Sequence, residues 1–386
     1  PMVIGQVTYE ITDDVQLATQ IVIVAFLLVV FLTIRKSSHT DVFPVSVTNE
    51  LKGLGILTVV FAHFTYMKVN NWEFLYPLST IAGVGVDLFL LMSGFGLTVG
   101  MMKKPMGVLD FYKKRVIKIF IPFWIALIIM FIADFIFLDK NYGFMYMLKS
   151  ALGFFPTADG FADVNSPFWY ITWMMMFYIL FPLFFIKKAP WITAILLAVV
   201  ASIIGGLNPL ELGSNWLHRL HSVAFSIGIL MAYFLAIKPN ETNKLVDAIK
   251  NFRDKSNAPK YILILFMAVV VAYVSQHASA KDWPILKSIL VENYLVEQLT
   301  SIIIMMAFIV IFVLKKVESK FLAIYGAFSY EVYLIHWPLI GRYDIFFDYL
   351  PSWAAVIVWM IVFILVSMIL QKLVIPVSNF VDKITK

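Results

Sequence analysis

The chain reads as an all-α, polytopic membrane helix bundle of about eleven transmembrane helices. Three observations carry that reading. Of its 386 residues, 61% are hydrophobic and only 14% charged, which leaves too little polar surface to cover a water-soluble globule. The apolar runs are roughly 18 to 23 residues long, the length of α-helix that crosses a hydrocarbon core about 30 Å thick. Barrel strands would be half that length and would alternate in polarity, as these runs do not.

The elements follow in order. The first run, VQLATQIVIVAFLLVVFLTI, gives a helix near 16–34. It follows Glu10, Asp13 and Asp14 instead of a basic region, and no small-residue cleavage pattern comes after it, so it is expected to be a retained span. The second helix, near 48–67, contains LKGLGILTVVFAHF, an apolar run with an ionisable group at each end. The third, near 80–101, is rich in glycine. The fourth, near 116–138, is entered through the basic FYKKRVIKIFIPFW and holds Pro122, which is expected to kink it and to free carbonyls that need a buried or pore-lining position. The fifth, near 168–186, opens on aromatic residues. Six more apolar runs predict helices near 190–206, 219–237, 260–277, 295–314, 323–341 and 353–375.

Lysine and arginine alternate sharply across the intervening loops. Arg35, Lys36, the group from Lys103 to Lys118, Lys187, Lys188, the run from Lys238 to Lys260, Lys315, Lys316, Lys320 and the C-terminal lysines fall on one side. The positive-inside rule then sets the N-terminus outside and the C-terminus in the cytoplasm. The net charge of +6 lies in these juxtamembrane loops, so topology accounts for it and nucleic acid is not an expected partner. No cysteine is present, which removes disulfides, thiolate metal sites and a cysteine nucleophile. With no internal repeat and no long linker, a single membrane domain is expected over 1–386.

Ionisable residues at membrane depth are costly and mark candidate sites. Lys52 and His63 lie near the two ends of the second helix, eleven residues apart; that is roughly 16 Å along the axis and about three turns, so they share a face. The third helix carries Asp87 near its external end and Ser93 near its middle. The tenth carries Tyr330 and Glu331 at mid-depth, with His336 higher. Lys113, Lys114, Arg115 and Lys118 suit topology, and equally a grip on the phosphates of a nucleotide-bearing donor. Trp169, Tyr170 and Trp173 suit an interfacial belt, and equally a platform stacked on sugar faces.

The basic residue and histidine of 52–63, GVGVDLFLLMSGFGL, YKKRVIKIFIPFW, FWYITWMMMFYILFP and SYEVYLIHWP stand in the order found in the acyltransferase 3 family of integral membrane O-acyltransferases, which the chain resembles over about 48–375. The span at 16–34 is an addition to that core. The resemblance implies transfer of an acyl group, commonly acetyl, from cytoplasmic acyl-CoA to a hydroxyl of an extracytoplasmic or lipid-linked polysaccharide, at the cell membrane and without a metal. It implies donor-side roles for Lys52 and Arg115, a catalytic role for His63, and support from Glu331 and His336. Two departures matter. Lysine replaces the usual arginine at 52, which loses bidentate phosphate geometry. Met174 and Met175 stand where many members have an acidic pair. No part of the sequence matches the hydrolase-like extracytoplasmic domain of some relatives, so the membrane unit is expected to act alone or with a separate cell-envelope partner.

The resulting expectation is that CoA phosphates sit near Lys52 and the 113–118 cluster while the thioester meets His63. The imidazole acts either as general base or as acyl carrier, with Asp87 or Glu331 holding its tautomer and His336 orienting the acceptor. The rival readings are a transporter or exporter of lipid-linked glycan using the same polar pocket, and a sensor that binds without turnover.

Overall fold

A computed structural model of the protein describes residues 9–37, 41–69, 71–160, 162–237, 244–255, 259–260, 262–264, 266–271 and 293–384. Helix α1 (Val15–Leu32) starts at Asp14, whose carboxylate accepts from the backbone N–H of Gln16 at 2.9 Å and Leu17 at 3.0 Å, satisfying two otherwise orphaned donors. Strand β1 (Ile34–Lys36) follows, then α2 (Val45–His63), which continues through a π-helical segment, Phe64–Val69. Helix α3 spans Ala82–Lys103. Helix α4 (Val108–Arg115) passes through a second π segment, Val116–Phe120, into α5 (Ile121–Leu138). Next come α6 (Phe144–Ala151), α7 (Trp169–Phe184), and α8 (Pro190–Leu207), which ends on Asn208 in the left-handed region at φ 48°. Short α9 (Asn215–Leu220) and α10 (Ala224–Ala232) form one crossing, and α11 (Lys244–Lys255) is strongly amphipathic. The remaining elements are α12 (Asn293–Leu314), β2 (Val317–Ser319), α13 (Lys320–Ala327), α14 (Ser329–Arg342) and α15 (Ser352–Ile384).

Nine spans among the described residues are long and apolar enough to cross a membrane. They include the expected helices except the eighth and the tenth. The eighth, at 260–277, falls partly outside the described residues, and 262–264 and 266–271 are helical. The tenth is two short helices, α13 and α14, broken at Phe328, so Tyr330 and Glu331 sit in the first turn of a new helix rather than midway along one. The fourth span also differs from its expectation. Pro122 lies in the first turn of α5, where its missing N–H is tolerated, and the irregularity sits just before it, where Ile121 N–H reaches back five residues to the carbonyl of Val116.

Glycine pairs bring the central helices together. A Cβ on Gly85 would overlap the carbonyl of Gly55, one on Gly94 the carbonyl of Phe225, and one on Gly228 the carbonyl of Leu91. Gly53 and Gly326 are likewise blocked by Leu322 and Asn49. Helix α3 is thereby pressed between α2 and α10, and α2 against α13, with backbones in direct contact as small residues allow in a lipid-embedded interface.

Each end of the bundle is fastened by buried polar groups. At one end β1 and β2 pair antiparallel, Ile34 opposite Ser319. Beside them the Glu50 carboxylate, on α2, accepts from Lys315 Nζ at 2.6 Å and from Ser319 N–H at 2.5 Å. Burial pushes Lys315 below the usual lysine range, and the neighbouring Glu50 and Glu318 carboxylates pull it back up. At the other end Lys68 meets Asp344 at 2.9 Å. There Asp13 also accepts from Ser352 N–H at 3.0 Å, and Arg342 pairs with Asp134, which accepts from Tyr142 and Tyr343 hydroxyls at 2.6 Å each.

Candidate active site

A cavity of about 1210 Å³ runs between α2, α3, α7, α12 and α14. Along α2 and the π segment its wall is Lys52, Ile56, Val59, His63 and Tyr66. These recur at intervals of four and three residues, the spacing of one helix face. The opposite wall contains Phe89 and Ser93 from α3, Trp169, Tyr170, Met174 and Tyr178 from α7, and Tyr330, Glu331 and Tyr333 from α14. The same cavity therefore touches both the lysine near one end of α2 and the histidine near the other. The Lys52 ammonium has no hydrogen-bond or ion-pair partner among the described residues, and Lys118, from the second π segment, lines the same cavity in the company of Ile119 and Pro122.

Two histidines reach the wall, each backed by a buried polar group. His63 Nδ1 lies 2.7 Å from His336 Nε2, with the rings nearly parallel, 5.0 Å apart at their centroids. His336 is fully buried, and its Nδ1 lies 2.9 Å from the carbonyl of Val332 and 3.0 Å from that of Tyr333. A carbonyl only accepts, so Nδ1 of His336 carries the proton. In the neutral ring Nε2 is then an acceptor, so His63 donates from Nδ1, and the lone pair of His63 is left on Nε2. The backbone of α14 thus fixes the tautomer of a side chain on α2 through one intervening imidazole. The π segment begins immediately after His63, at Phe64, and distortions of this type recur at functional sites.

The second histidine is His221, between α9 and α10. Its Nδ1 is 2.7 Å from Asp87 Oδ1, and the other oxygen of Asp87 accepts from the hydroxyl of Ser301 on α12. The Trp169 ring stacks on the imidazole at 5.8 Å. His221 and Ser301 line the cavity, while Asp87, 1% exposed, sits behind them.

The model of the acyltransferase 3 family, described as an acyltransferase domain, matches residues 49–372. The chain belongs to that family. No curated protein and no solved structure matches it. The protein is thus a multi-pass membrane acyltransferase, and the matched stretch takes in every wall of the cavity from Lys52 to Gln371.

Within the acyltransferase the expected site residues are distributed unevenly around this cavity. Lys52, His63, Ser93, Lys118, Trp169, Tyr170, Tyr330 and Glu331 line it. His336 stands directly behind His63, and it, rather than Asp87 or Glu331, is the group against Nδ1 of that ring. Asp87 serves His221 instead. Three residues of the basic cluster stand elsewhere: Lys113 lines a separate small groove with Tyr112 and Val381, Lys114 is exposed, and the Arg115 guanidinium lies 5.6 Å over the Phe111 ring. Trp173 is packed away from the cavity, where its indole N–H donates to the carbonyl of His221 at 3.3 Å. Exposed aromatic rings at the cavity mouth come instead from Trp72 and Trp216, 68% and 61% exposed. Met174 lines the wall where an acid is absent. Sequence reasoning missed His221, Ser301 and Trp72. Their one visible signal was the pair His218 and His221, three residues apart at a span entrance. Among the described residues no group of three or more potential ligands could hold a metal.

Proposed function

We propose that a single membrane domain transfers an acyl group, acetyl in the first instance, from acyl-CoA to a hydroxyl of a polysaccharide or lipid-linked sugar on the far side of the cell membrane. The observation that carries this reading is the one cavity shared by an unpaired ammonium at 52 and a tautomer-fixed imidazole at 63. Their axial offset of roughly 16 Å suits a donor whose phosphates rest at one end and whose thioester is carried inward on a flexible arm. Lys52 and Lys118 hold the phosphates as point charges. The end bearing Arg35, Lys36 and Lys315 faces the cytoplasm, as the positive-inside rule directs, and the mouth with Trp72 and Trp216 faces outward, where apolar rings suit sugar faces.

His63 Nε2 meets the thioester carbonyl. It acts as nucleophile, or as the base that deprotonates whatever attacks; in both cases Nδ1–H and His336 keep the reacting lone pair aimed into the cavity. Glu331, in the first turn of α14, lines the same cavity and helps to position the donor's amide-bearing arm.

Purified protein in proteoliposomes with radiolabelled acetyl-CoA tests the reading. Transfer of label to cell-envelope glycan, lost in His63→Ala, is the expected result. An acid-labile label trapped on the wild type alone identifies the nucleophilic route. Full transfer by His63→Ala removes the site assignment, and glycan counterflow without CoA release points to a transporter.

A further inference from the structure

We propose that His221, held by Asp87, is a second catalytic histidine, the base that takes the proton from the acceptor hydroxyl while His63 deals with the donor. This rests on the acyltransferase reading of the same cavity. Asp87 belongs to a motif of the sequence, but its partner does not, and the pairing arises only because α3 is pressed against α10 through Gly94 and Gly228.

The chemistry follows from the partners. A carboxylate accepts only, so Nδ1 of His221 carries a proton, and in the neutral ring Nε2 then keeps a lone pair. Asp87 is almost completely enclosed, and burying a carboxylate away from water is expensive unless it is paired. Its partners, an imidazole and the Ser301 hydroxyl, are formally neutral until a proton arrives on His221. A proton arriving on His221 turns its hydrogen bond to Asp87 into an ion pair, while the Ser301 hydroxyl keeps the second carboxylate oxygen occupied. His63 lacks this device, because the group behind it is a neutral imidazole held by carbonyls. The other ionisable groups around His221 are His218, one turn earlier, Arg219 beside it and Glu297 on α12; His218 is sealed between Trp169 and Trp173. Position agrees with the role. His221 shares the cavity wall with Trp216, Leu217, Glu297 and Thr300, toward the mouth assigned to the acceptor, and stacking on Trp169 fixes its plane.

In the step, the acceptor O–H bond breaks and its proton moves to Nε2 of His221. The freed oxygen bonds to the acyl carbonyl carbon, and the bond from that carbon to its carrier breaks, the carrier being Nε2 of His63, which has taken the acyl group from the CoA sulfur. The electron pair leaves with the carrier, and the proton is afterwards released from His221 to the thiolate or to water. Asp87 and Ser301 touch no reacting atom and are positioning residues.

The test uses the full chain in proteoliposomes, radiolabelled acetyl-CoA as donor and host cell-envelope glycan as acceptor, with acetyl-CoA affinity measured separately. His221→Ala and His221→Gln are expected to lower transfer by about 10²-fold or more, with donor affinity within threefold of the wild type. Imidazole added to His221→Ala is expected to restore part of the rate, which a structural role would not allow. Asp87→Asn is expected to lower transfer without responding to imidazole, its own ring being present but misheld. Transfer within threefold of the wild type in both His221 variants overturns the inference, as does loss of transfer together with donor binding and no response to imidazole. A wild type that moves no label at all fails the acyl-CoA reading itself, a result distinct from either.

Discussion

A single proton position organises the chemistry around residue 63. The carbonyls of Val332 and Tyr333 settle the tautomer of His336, which settles that of His63. His336→Leu keeps bulk but removes the acceptor, so the His63 ring is free to rotate and to change tautomer. A loss in kcat of about 10- to 100-fold is expected, as for other groups that orient a reacting ligand from behind, against about 10²- to 10⁴-fold for His63→Ala; steady-state rates in proteoliposomes compare the two. Lys52 acts on a different quantity. A charge-assisted contact to phosphate contributes about 1.5–3 kcal/mol, so Lys52→Gln is expected to raise the KM for acyl-CoA by roughly 10- to 100-fold with kcat little changed, and Lys52→Arg to restore it. Titration of the initial rate against acyl-CoA separates the two parameters.

The elements owe their arrangement to close backbone approach as much as to hydrophobic pattern. Gly228→Val and Gly326→Val each push a side chain into a main-chain carbonyl of the neighbouring helix, where nothing flexible can yield. Overpacking of this kind costs about 1–3 kcal/mol or more, and a lower unfolding temperature in detergent is expected for both; Gly96→Val, where a Cβ meets nothing within 4 Å, is the control. These same contacts explain what the sequence revealed and what it concealed. Apolar length located the spans, and the eleven-residue interval put Lys52 and His63 on one face, because both properties are local to a helix. The Asp87–His221 pair was hidden, since it joins residues 134 positions apart whose meeting depends on glycine packing. The break at Phe328 was hidden too: no proline stands next to it in FLAIYGAFSYEVYLIHWPLI, and what lies beside it is Gly326, seated on the backbone of Asn49. Of the basic cluster Lys118 lines the cavity and Lys113 a separate groove, a division that spacing along the chain does not reveal.

At the scale of the whole molecule the two ends differ in how they are fastened. Arg342 and Asp134 are both enclosed, and breaking such a pair by removing one partner costs about 3–5 kcal/mol, because the other charge is stranded. Arg342→Leu is expected to destabilise the protein by that amount in thermal melts, and Arg342→Leu with Asp134→Leu to recover most of it. Orientation is open to a direct check, because the chain contains no cysteine and a single introduced thiol reports without background. Leu109 and Tyr349 are 75% and 72% exposed at opposite ends. In intact cells a membrane-impermeant maleimide is expected to modify Tyr349→Cys and to spare Leu109→Cys until the membrane is opened.

The stripe on α2 has one more consequence. The interval between the cation at 52 and the ring at 63 is set by helical rise rather than by loops, so α2 is a rigid gauge, and a donor is measured by the length of its handle, not by the tail it carries. An alanine inserted between Leu57 and Thr58 keeps every named side chain yet swings the ring about 100° around the axis relative to the cation. Such a protein would still grip its donor and would present the thioester to the wrong wall.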